Sequence, residues 1–214
     1  RCLIMLLFIP SFAVLEGFHW MALWLDEFLF PAYRSVPVTG PVFVVGIPRS
    51  GTTHLHRVLA RDNEQFTVLQ LWEVLFAPAI CERKVLGALG AVDRLLGRPC
   101  GRLGARLARR LTGSLDDIHQ LSLHQPEEDF VLLLPALGCF LLIAAFPWSQ
   151  EIESLGYFDS RVPAGQRRDL MEFYRGMLQR HLYCRGTDRI LLSKNVSFTP
   201  LLHSLVSTFP DARL

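Results

Sequence analysis

The apolar positions of this chain change spacing along its length, and each change marks an element. Residues 2–25 are almost wholly apolar, with Glu16 and His19 the only charge-bearing side chains; Trp20 and Trp24 lie near the end, and Asp26 and Glu27 follow. This pattern fits the end of a membrane span, an interfacial helix with an aromatic belt, or a helix packed on the core. Pro10 and Glu16 divide it into runs too short to cross a bilayer alone. Phe28 to Thr39, with Pro31 and Pro37, reads as a linker. Val42-Phe43-Val44-Val45, bounded by Pro41 and Gly46, has the unbroken apolar character of a strand buried on both faces of a parallel sheet. Leu55, Val58 and Leu59 then recur at helical spacing, so this region predicts strand, turn and helix.

Further along, Phe66 to Glu73 is an apolar stretch with a single carboxylate. In residues 83–113, Arg98, Arg102, Arg106 and Arg110 recur every four positions beside Leu103, Leu107 and Leu111, which predicts an amphipathic helix with a basic face. Such a face suits anionic headgroups, an acidic partner or plain solvent, and Gly97, Gly101 and Gly104 weaken the helix. Val131 to Phe146 carries no charge and includes Pro135; its length suits a buried helix or the wall of an apolar pocket. A helix is predicted from Pro163 onward, with Leu170, Phe173, Tyr174, Met177, Leu178 and His181 on one face. Arg189 to Ser193 reads as a short strand with Lys194-Asn195 at its carboxyl end, Thr199 to Phe209 as a helix, and Pro210 to Leu214 as a turn into another strand.

This alternation predicts an α/β class: a P-loop-type three-layer fold with a central parallel sheet and a helical insertion. Residues 1–30 form an apolar N-terminal segment and residues 31–214 the domain. The sequence begins at Arg1 and stops within the last predicted strand, so it reads as a fragment with the fold incomplete at the C-terminus.

Composition narrows the partners. Half of the 214 residues are hydrophobic, and the mean hydropathy of +0.28 points to a membrane or a very apolar interior. Twenty-two basic against 20 acidic residues leave a net charge of +2, too little for nucleic-acid binding by bulk charge. The five cysteines show neither CxxC nor Cys/His ligand spacing, so no metal site and no disulfide scaffold is expected.

The chemistry concentrates at Gly46-Ile47-Pro48-Arg49-Ser50-Gly51-Thr52-Thr53. Two glycines let the backbone curl with its amides inward, and a following helix adds its positive end, so the expected ligand is a phosphate or sulfate group. A Walker loop carries lysine where Thr52 stands. Here the cation is Arg49, inside the loop, and Ser50, Thr52 and Thr53 supply hydroxyls.

This string resembles the 5'-phosphosulfate loop of the sulfotransferases, whose co-substrate is 3'-phosphoadenosine-5'-phosphosulfate. Leu71-Trp72-Glu73, Pro126-Glu127-Glu128-Asp129, Ser193-Lys194-Asn195 and Phe209-Pro210-Asp211-Ala212-Arg213 extend the likeness, which is similar in part to the tyrosylprotein sulfotransferases. The resemblance implies donor binding by Pro48, Arg49, Ser50, Gly51, Thr52 and Thr53. It further implies Glu73 as catalytic base, Lys194 acting on the transferring group, and no metal. His119 and His124 are reserve bases, as in the histidine-dependent cytosolic branch. Val196 departs from the family, which often carries proline there, and the family's 3'-phosphate contacts would fall after Leu214. The implied acceptor is a small-molecule, lipid, glycan or peptide hydroxyl, with membrane association or otherwise a cytoplasmic location. Two alternatives stand beside this reading: a phosphoryl-transfer enzyme with a degenerate Walker loop, and a non-enzymatic membrane-associated interaction protein.

Overall fold

The structure is a computed structural model that describes residues 2–99 and 124–214. Strand β1, Val42–Val45, is the predicted apolar run, with Phe43 and Val44 buried. It pairs in parallel with β3, Ile190–Asn195, which pairs in parallel with the short β2, Phe66–Thr67, so the order across the sheet is β1-β3-β2. On the far side of β1, Phe43 N donates to Arg213 O at 2.9 Å and Arg213 N donates to Pro41 O at 2.9 Å. The segment after Pro210 therefore continues the parallel order at that edge. Strand β3 runs two residues further than predicted and takes in Lys194 and Asn195.

Helix α1, Cys2–Leu29, runs through Pro10 without a break. Among the described residues no helix is long and apolar enough to cross a membrane, and the latter half of α1 is tied to the core. His19 is buried and bonds Glu82 at 2.7 Å, and Trp20 Nε1 donates to Pro135 O at 2.9 Å. Asp26, fully buried, accepts from the first amides of α4 (Ile80–Leu95), Ile80 N at 2.8 Å and Cys81 N at 2.9 Å. A carboxylate there compensates unpaired helix amides and their dipole. The predicted linker is also structured: it begins inside α1 and continues as a 3-10 turn, Pro31–Ser35, whose Tyr33 is buried beneath the Arg180 guanidinium.

Helix α2, Thr52–Leu59, follows β1, and α3, Leu71–Phe76, follows β2. Two short helices, α5 (Gln150–Leu155) and α6 (Phe158–Arg161), lead to α7, Ala164–Arg185, which starts after Pro163 as predicted. Leu170, Tyr174, Met177, Leu178 and His181 are its buried face. The helix predicted over Thr199 to Phe209 is instead a 3-10 segment, Val196–Leu201, and then α8, Leu202–Thr208. The charge-free run after Val131 forms no long helix: it folds as two 3-10 segments, Asp129–Leu133 and Phe140–Ala144. Proline at 135 has no amide proton and disfavours a continuous helix across it; here Pro135 lies between the two 3-10 segments. Of the predicted basic helix, α4 ends before Arg98; Arg102, Arg106 and Arg110 lie outside the described residues, as does His119.

Candidate active site

The loop that leaves β1 has the backbone that an anion site needs. Arg49 and Gly51 both adopt left-handed conformations, with φ of 65° and 84°, the kind of geometry from which concavities of inward amides are built. Gly46 is fixed by space: a side chain there would lie 3.2 Å from Thr52 Cγ2 and 3.3 Å from Ser50 Oγ. Ser50 Oγ donates to Ile47 O at 2.7 Å and braces the turn. Pro48, Arg49, Ser50, Gly51 and Thr53 are exposed and Thr52 is half-buried, so the arginine and hydroxyls are open to an incoming group. A non-glycine residue held left-handed costs about 1–2 kcal/mol, and such strain clusters at binding sites.

Lys194 lies on the strand next to the one that leads into this loop because the strands are parallel and in register. Val44 is its partner across the β1–β3 ladder, two residues before Gly46. Thr199 Oγ1 donates to Gly46 O at 3.1 Å and ties the turn after Lys194 to the start of the loop. The Lys194 ammonium is buried and ion-paired with Glu128, which is half-buried. Below this pair, Asp129 is an enclosed acceptor. It receives Ser193 Oγ at 2.9 Å, the Asn195 amide and Tyr174 OH at 2.7 Å, while Asn195 Oδ1 accepts Phe130 N at 2.9 Å. Burial pushes the Asp129 carboxyl above its ordinary range, against the pull of these donors. The Glu128-Asp129 pair thus locks to the end of β3 and holds Lys194 at the carboxyl end of this central strand, the side of an α/β sheet where ligands bind. The pairing of these acids with β3, some 65 residues on, left no local pattern in the sequence.

Glu73 lies deeper. It is 1% exposed, and its Oε1 accepts from Arg185 Nη2 at 2.8 Å and Arg83 Nη1 at 3.3 Å. Its Oε2 accepts Gln70 N at 2.8 Å and closes a capping box on α3. Arg83 Nη1 also faces His181 Nδ1 at 3.2 Å, and His181 Nε2 faces Thr67 Oγ1 at 3.1 Å. Burial, then the arginines, hold His181 well below the ordinary histidine value, so Nδ1 accepts from Arg83 and Nε2–H donates to Thr67. Glu73, the expected base, thus has both oxygens engaged in this structure. His124, exposed, contacts only Gln70 Oε1 at 3.4 Å among the described residues. His56 on α2 is 2% exposed. Burial and nearby Lys194 and Arg57 push it down to about 4 against a bond to the Leu192 backbone.

Residues 41–214 match the model of the Sulfotransferase family, and the chain belongs to that family. Among solved structures it is similar to the sulfotransferase STF9 from Mycobacterium avium, with a TM-score of 0.66 and 17% identity over 96% of this chain and 49% of that one. It is also similar to the sulfotransferase STF1 from Mycobacterium tuberculosis H37Rv, with a TM-score of 0.54 and 21% identity over 89% of this chain and 48% of that one. The chain spans about half the length of each, and at these identities the likeness concerns the fold. No curated protein matches it.

Proposed function

We propose that this chain belongs to an enzyme that transfers a sulfuryl group from 3'-phosphoadenosine-5'-phosphosulfate to an acceptor hydroxyl. The observation that supports this reading is the pairing of Val44 with Lys194, which puts Lys194 on the strand next to the one that leads into the loop of Arg49, Ser50, Thr52 and Thr53. The donor's phosphosulfate fits a cradle of backbone amides and hydroxyls with a cation inside it. In the transfer, the acceptor oxygen bonds to sulfur as the bond from sulfur to the donor phosphate oxygen breaks, and the acceptor proton leaves to a base. Negative charge grows on the departing phosphate oxygen, where Lys194 would be most useful.

For the proton acceptor, the resemblance points to Glu73 and the geometry favours Glu128. Both oxygens of Glu73 are engaged by arginines or a backbone amide, whereas Glu128 is only half-buried and touches Lys194 itself. A base must come within hydrogen-bond reach of the reacting hydroxyl, and the pairing of Glu128 with Lys194 supports Glu128 as the candidate for that role.

The test is calorimetric titration of the chain with 3'-phosphoadenosine-5'-phosphosulfate and with ATP, each with and without Mg²⁺. Binding of the phosphosulfate that is independent of Mg²⁺ and lost on Arg49→Ala is the expected result. Mg²⁺-dependent binding with a preference for ATP would overturn the reading in favour of phosphoryl transfer.

A further inference from the structure

A cavity of about 430 Å³ opens between α1, the end of α3 and the two 3-10 segments after Asp129. Its size suits a drug-sized ligand. The walls are apolar, with Leu75, Leu132, Pro135 and Leu142 among them, and the charge-free run after Val131 supplies much of the lining. Glu16 and His19 are the exceptions. His19 is committed to Glu82 at 2.7 Å. Glu16 is not: its Oε2 is buried and has no hydrogen-bond partner among the described residues. A buried polar oxygen left unpaired costs free energy that a ligand could recover. The lining includes none of the loop residues, nor Glu128 or Lys194, so this is a separate site.

We propose that the cavity binds a small neutral amphipathic molecule, an apolar body carrying one hydroxyl that bonds to the Glu16 carboxyl. A hydroxyl suits this carboxyl in either protonation state, since it donates to the carboxylate and accepts from the acid. That matters because burial, with Glu82 nearby, raises the Glu16 carboxyl above its ordinary value against the pull of His19. An ammonium would give up its strong hydration for one partner in apolar walls, and a carboxylate ligand would meet Glu16 and Glu82. The inference does not depend on sulfuryl transfer.

The test is titration of the full 214-residue chain with 1-decanol, decane and decanoate, read by calorimetry, with near-UV circular dichroism to verify the fold of each variant. Decanol should bind saturably at one site, and at least about tenfold more tightly than decanoate. Ala144→Phe, at the exposed rim, should weaken decanol at least about tenfold without changing the spectrum. Glu16→Leu should keep the fold but abolish the preference for decanol over decane. Decanol binding that does not saturate, survives Ala144→Phe unchanged, or keeps its preference in Glu16→Leu would overturn the proposal.

Discussion

Arg185, at the last turn of α7, holds Glu73 of α3 through an Nη2–Oε1 contact of 2.8 Å. With Arg83, 7% exposed, on the same oxygen, Glu73 joins the segment after β2 to the helix that precedes β3. Removing one member of such a group strands a buried charge, which typically costs about 3–5 kcal/mol. Glu73→Ala should therefore lower stability by about that amount, seen as a reduced urea midpoint with unchanged slope. A midpoint equal to that of the unsubstituted chain would show that Arg83 finds other compensation.

The two carboxylates separate under substitution. With transfer assayed in an active form of the protein, Glu128→Gln should lower single-turnover sulfation by about 10²-fold while leaving donor affinity nearly unchanged. Lys194→Ala should lower turnover and weaken donor binding too, because its charge faces the donor before and during transfer. If Glu73→Gln, correctly folded, loses the step and its pH profile while Glu128→Gln keeps both, the base is Glu73.

Arg49 is a cation in a strained backbone. Arg49→Ala should weaken donor binding more than tenfold, since losing a charge-assisted phosphate contact costs over about 1.5 kcal/mol. Arg49→Gly should weaken it similarly yet raise thermal stability, because glycine relieves a left-handed residue worth about 1–2 kcal/mol. Calorimetry and thermal melting on the same samples test both halves, and a glycine variant that melts lower would refute the strain argument.

Histidine burial makes stability depend on pH. His56, at about 4, and His181, well below its ordinary value of 6.5, are neutral in the fold and take up protons on unfolding between their folded values and 6.5. The unfolded state then binds more protons, so each group makes stability rise with pH across that window, by up to about 1.4 kcal/mol per pH unit. Glu16, His19 and Asp129 are held above their ordinary values and act in the opposite sense. The difference between the chain and His56→Gln is thus the informative quantity. Urea unfolding at pH 5 and 7.5 should show a smaller loss on acidification in the variant; equal losses would mean His56 does not titrate as its burial requires.

By itself the sequence determined the elements whose cause is local. The apolar run at Val42, the two glycines with Arg49 between them, the face of α7 and the strand before Lys194 are legible because strand burial, left-handed turns and helical spacing leave marks within a few residues. The family likeness of the loop is legible for the same reason. Only the tertiary structure decided the rest. The latter half of the apolar N-terminal run is tied to the core because Asp26 caps α4 and His19 meets Glu82, while Phe18, Trp24 and Phe28 stay exposed. The charge-free run is a cavity wall in two 3-10 segments because Pro135 interrupts it and α1 packs against it. Glu73 is an anchored acceptor because Arg185 arrives from 112 residues away, and Lys194 meets Glu128 because the segment after Pro126 folds onto β3. Such contacts depend on long-range closure of the chain, and a carboxylate carries no local sign of which distant cation will reach it.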